Sequence, residues 1–94
     1  MLLHLGGDDS VFLRDVVMIV DEAAVSAGGE NARFLDCARD NGMLFGQERG
    51  GIRSYVLVKE KNRPARVIAS PISAATLLKR SRLPYTAPDE KGLI

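Results

Sequence analysis

Arg53-Ser54-Tyr55-Val56-Leu57-Val58-Lys59, followed by Lys61-Asn62-Arg63-Pro64 and then Arg66-Val67-Ile68-Ala69, decides how this chain is read. The two apolar runs are rich in β-branched residues, which fit a pleated, half-buried surface. The Asn and Pro between them belong to turns, because Asn tolerates left-handed backbone and Pro fixes φ. Two strands joined by a turn form an antiparallel hairpin.

Moving toward the N-terminus, Gly46-Gln47-Glu48-Arg49-Gly50-Gly51 reads as a flexible loop, and Met43-Leu44-Phe45 as a short strand or a core anchor. Before it, Ala32, Leu35 and Ala38 recur at helical spacing from Glu30 or Asn31 onward, with Phe34 and Cys37 widening the apolar stripe. Cys37 is therefore expected as a small buried hydrophobe. Asn41-Gly42 stops this helix, since glycine accepts the left-handed conformation at a C-terminus. Residues 21–30 read as a loop of small side chains. Val16-Val17-Met18-Ile19-Val20 reads as a strand buried on both faces. Leu2–Leu5 and Ser10–Leu13, separated by Gly6-Gly7-Asp8-Asp9, form another hairpin. Toward the C-terminus, Pro71 keeps Ser70 extended. Ser73 caps a helix over 74–82 whose last turn carries Lys79, Arg80 and Arg82.

The order is β-β-β-α-(β)-β-β-α, which predicts an α+β fold with a small, mostly antiparallel sheet and two helices. Ninety-four residues make one domain, expected over 1–83, with a disordered tail over 84–94. One cysteine excludes an internal disulfide, and the longest apolar runs are far short of a membrane span. A reduced, cytoplasmic setting follows as the expectation.

His4 is the only histidine, so a metal site with Asp8 and Asp9 is not expected. Cys37 has no adjacent base to activate it, and no acid–base pair stands out. The chain is accordingly expected to be no enzyme and to need no cofactor or small-molecule substrate.

Charge carries more. The net charge is only +1, yet residues 1–30 hold six acids against Arg14 alone, and 49–82 hold nine bases against Glu60. Such a run is a solvated face, a partner for the acidic third, or a contact for nucleic-acid phosphates, which reward each Lys or Arg through counterion release. The Gly46–Gly51 loop lacks the Lys-Ser/Thr of a nucleotide-binding loop. It does place Arg49 and Arg53 where a main chain can come close to phosphates.

Three segments carry a resemblance: His4-Leu5-Gly6, Arg14-Asp15-Val16-Val17-Met18-Ile19-Val20-Asp21, and Ser70-Pro71-Ile72-Ser73 leading into Thr76-Leu77-x-Lys79-Arg80. In this order they resemble the bacterial extracellular matrix regulator family (RemA/RemB), the first and last being most like RemB. Ala38–Leu44 is similar to RemA, and the likeness runs over about residues 2–82. The resemblance implies a cytoplasmic transcription regulator that assembles into closed rings, binds double-stranded DNA through arginines, and serves biofilm matrix genes. It implies a DNA contact at Arg14. Where RemA carries Gly-Arg-Arg this chain has Gly50-Gly51-Ile52, so Arg49 and Arg53, flanking that point, are the expected substitutes, with Arg39 and then Arg33 as lesser candidates. The missing arginine pair also admits another reading, an oligomeric scaffold of the same fold that does not bind DNA.

Overall fold

The structure, a computed structural model, describes residues 1–81 and, of Arg49, the backbone alone. The tail expected over 84–94 lies outside the described residues, as does Arg82, expected in the last turn of the final helix.

Six strands and three helices follow one another as β1 (Leu2–Gly6), β2 (Asp9–Phe12), β3 (Val16–Asp21), α1 (Glu22–Ser26), α2 (Glu30–Asp40), β4 (Leu44–Phe45), β5 (Ser54–Val58), β6 (Arg66–Ser70) and α3 (Ala74–Ser81). The fold is α+β, with mostly antiparallel strands and two helices of more than seven residues. The strands form two sheets rather than one. β1 and β2 make a separate hairpin, and the other four lie in the order β3-β5-β6-β4. Among the described residues, only β4 runs parallel to its neighbour.

The alternation of side chains along β5 sets the layers. Val56 and Val58 are fully buried on the face covered by the β1–β2 hairpin and α3, where they meet Leu3, Leu5, Val11, Ile68 and Leu77. The opposite face, with Leu44 and Val67, is covered by Leu35 and Ala38 of α2, and Val25 of α1 packs at its margin. The molecule is thus a sheet between two thin layers.

The Ser-Pro-Ile-Ser segment is where the layers are joined. Ser70, fully buried, donates its hydroxyl to the Leu5 carbonyl at 2.7 Å and accepts the Ile72 N–H at 3.0 Å. Its cross-strand partner Ser54, also fully buried, donates to the Ile72 carbonyl at 2.6 Å. Pro71 lies on Gly6, where a Cβ would sit 2.8 Å from the Pro71 Cγ. Ser73 caps α3, its Oγ accepting the Thr76 N–H at 3.2 Å. The His4-Leu5-Gly6 and Ser70-Pro71-Ile72-Ser73 segments therefore meet in space.

Three expectations need correction. Residues 22–26 are helical, not loop, because Asp21 accepts the Ala23 N–H at 3.0 Å and caps a short turn. β3 is not buried on both faces. It is the edge of its sheet, a bulge lies between Val16 and Met18, and Val17 is 61% exposed. Cys37 is exposed, because α2 buries only Leu35 and Ala38 and turns Cys37 away from them.

A candidate nucleic-acid interface

Strand pairing sorts the charges to opposite ends of the molecule. β3 and β5 are antiparallel, so Asp21 pairs with Ser54 at one end and Val16 with Val58 at the other. β6 continues both rows with Ser70 and Arg66.

The Ser70 end is acidic. Leu5 is bonded to Ser70 there, so the turn after Gly6 brings Asp8 and Asp9 to this end. Asp21 and Glu22 start α1 beside it, the Glu22 N–H bonding the Arg53 carbonyl at 2.9 Å. Glu48 lies in a single 3-10 turn over residues 47–49, reached through Gly46, which packs on Ala69 of β6. Arg53 is exposed, and its backbone is held on both sides, the N–H bonding the Ser70 carbonyl at 2.8 Å. The Arg49 side chain is outside what the structure describes.

The Arg66 end is basic. The Lys59 N–H bonds the Asp15 carbonyl at 2.9 Å, which brings the residue after Arg14 against the β5–β6 turn. Among the described residues, Arg14, Lys59, Lys61, Arg63 and Arg66 share this end with Asp15 and Glu60, and α2 ends beside it at Asp40. The turn holds Asn62 at φ 64°, a left-handed conformation that Asn tolerates better than most residues. α3 begins at the acidic end, next to Ile72, and leads away from it with Lys79 and Arg80 in its last turn.

The predicted arginines therefore do not form one cluster. Arg14 and Arg53 sit at opposite ends of β3, about 17–20 Å apart for a strand of this length. Arg14 is open to solvent, its side chain 78% exposed. Its guanidinium lies 4.7 Å from the centre of the Phe12 ring, and Asp15 is a marginal 4.0 Å partner. Such a stacking contact orients an arginine without neutralising it. Arg39 is paired with Asp36 at 2.8 Å and Arg33 with Glu30 at 2.6 Å, each within one helical turn, so both carry compensated charge on α2.

Lys59, Lys61 and Arg63 look like ornament on an exposed turn when read along the chain. What makes them part of a site is the antiparallel pairing of β3 with β5, which sets Arg14 beside them. The usable signal was the density of bases over 59–66 taken together with that pairing. The ionisation of Tyr55 is displaced. Half-burial, then the Glu22 carboxylate, push its pKa above the ordinary 10.0, with Arg39 acting the other way.

Apolar side chains are also exposed near the basic end. Leu2 (60%) and Phe12 (44%) are cross-strand partners on the outer face of the hairpin, and Val17 and Met18 lie on the open edge of β3. Among the described residues, no helix is long and apolar enough to cross a membrane. No protein-family model matches this chain, and no curated protein or solved structure matches it significantly.

Proposed function

We propose that this protein is a cytoplasmic DNA-binding regulator of the RemA/RemB type, acting as a closed ring on biofilm matrix genes and holding duplex DNA mainly by its phosphates. The observation that carries the reading is the basic end, where an exposed, scarcely paired Arg14 stands with Lys59, Lys61 and Arg63 while Asp8, Asp9, Asp21 and Glu22 gather at the far end. Charges so sorted present one face to a polyanion and turn the repelling groups away. No recognition-helix motif is in evidence, so recognition rests on charge and DNA shape more than on base edges. The open edge of β3 and the apolar Val17 and Met18 are surfaces that a neighbouring subunit would cover. Arg53, at the other end, contacts DNA only if assembly brings it beside a neighbour's basic end.

A second reading, an oligomeric scaffold without DNA binding, is favoured by those same apolar residues, Leu2, Phe12, Val17 and Met18. One experiment separates the two. Light scattering gives the subunit count, and titration of a short duplex over a range of salt gives the affinity and its salt slope. On the DNA reading, binding weakens steeply with salt, and Arg14→Ala and Lys59→Ala each flatten the slope by about one. Oligomers that show no duplex binding at low salt would leave the scaffold reading standing.

A further inference from the structure

A groove of about 390 Å³ opens between the end of α2 and the β5–β6 turn, at the margin of the basic end. That volume is at the lower limit for small-molecule sites and suits one compact ligand rather than a length of peptide. Its apolar surface comes from Met43, Phe45, Pro64 and Ala65. Phe45 is 49% exposed, although it belongs to a strand of the central sheet. An aromatic ring left open beside a proline offers a stacking surface for a planar group.

The polar groups are few and placed around that surface. Glu60 is bonded to Arg66 at 3.5 Å, so the two largely cancel. Arg63 is exposed and has no carboxylate partner among the described residues, which leaves the groove with one uncompensated cation. Asn41 donates its Nδ2 to the Cys37 carbonyl at 2.8 Å and to the Cys37 sulfur at 3.4 Å. Both contacts use its nitrogen. The side-chain oxygen accepts no bond from the described residues, and Asn41 lines the groove.

We infer that this groove binds a mononucleotide, the base against Phe45 and Pro64, an N–H of the base donating to the Asn41 side-chain carbonyl, and the phosphate on Arg63. A simple aromatic carboxylate would satisfy the cation and the stacking surface but has no donor for Asn41. An aliphatic anion would leave Phe45 unused. Of the bases proposed to hold the duplex the groove uses Arg63 alone, and Phe45, Met43 and Asn41 lie outside that set, so the inference does not depend on DNA binding.

The test is titration of the intact protein with AMP, GMP, CMP and UMP, the matching nucleosides and inorganic phosphate, followed by backbone amide NMR and calorimetry. At least one nucleotide is expected to shift amides confined to residues 41–45 and 60–66, with its nucleoside binding more weakly. Phe45→Ala and Arg63→Ala should each weaken that nucleotide about tenfold, the scale of one base–aromatic stack or one charge-assisted contact. Both side chains are exposed, so an unchanged melting temperature shows that the variants fold. Phe45→Ala should leave short-duplex binding as it was, which keeps this result separate from the fate of the DNA reading. The inference is overturned if inorganic phosphate reproduces the shifts, if they spread over Arg14 and Lys59, if no nucleotide binds at millimolar concentration, or if Phe45→Ala binds as the parent does.

Discussion

Ser70→Ala removes one oxygen from the interior and should cost more stability than any exposed substitution. Ser70 Oγ donates to the Leu5 carbonyl at 2.7 Å and accepts from the Ile72 N–H at 3.0 Å, and both Ser70 and Leu5 are fully buried. Alanine leaves each of these backbone groups short of a partner. An orphaned buried polar group costs about 1–3 kcal/mol, and Ile72, being half-buried, recovers part of its loss from water. The expected total is about 2–4 kcal/mol, a large part of what a domain of this size has. Ser73→Ala is the comparison, because it deletes a helix cap at a half-buried position and should cost only about 1 kcal/mol. Urea unfolding followed by far-UV circular dichroism reads both, with equal slopes required for the comparison. In thermal unfolding, Ser70→Ala should lower the midpoint on the order of 10 °C. If Ser70→Ala costs no more than Ser73→Ala, the buried hydroxyl is not what ties the hairpin layer to the sheet.

Two further outcomes are expected. Gly6→Ala should destabilise more than Gly28→Ala in the same urea assay. Both have positive φ (+102° and +87°), but only at Gly6 does a Cβ meet Pro71, at 2.8 Å. The strain shared by both costs about 1 kcal/mol, and the excess at Gly6 measures the contact. For Tyr55, the folded pKa is raised, so the neutral phenol is favoured in the native state. Its contribution is fully present below the ordinary value of 10.0 and is lost as pH rises through the higher folded value. Tyr55→Phe, compared with the parent at about pH 8 and about pH 11, should lose less stability on going alkaline. An identical loss would remove Tyr55 as a cause.

The elements legible in the sequence were those whose signal is local. β5 and β6 declare themselves by composition and by the turn at Asn62, and α2 by its apolar spacing and by Gly42, whose φ is 69°. What escaped depended on neighbours. The run Val16–Val20 has the composition of an interior strand, and nothing within it says that it ends a sheet. α1 is too short for an apolar stripe to repeat, and its one local sign was an aspartate placed to cap it. Cys37 lies on the broad margin of the α2 stripe, where spacing alone does not say which residues the sheet reaches. The site was legible as residue types but not as an arrangement. Arg14 was expected from the family resemblance, Arg49 and Arg53 from the glycine loop and the point where the family carries its arginine pair, with Arg39 a lesser candidate. The grouping of Arg14 with Lys59, Lys61 and Arg63 exists only once β3 is antiparallel to β5.

The bond from Ser70 to Leu5 spans 65 residues, nearly the whole described chain. The β1–β2 hairpin is synthesised before β5, β6 and α3, yet among the described residues it shares no strand pairing with the central sheet, and it is marginal in water by itself. Its apolar inner face, Leu3, Leu5 and Val11, waits for β5, β6 and α3 before it is covered. Folding is therefore expected to close late, with long loops ordered before their contacts repay them. Until then the growing chain carries two unpaired β edges and an uncovered apolar face, the surfaces through which one nascent copy would stick to another.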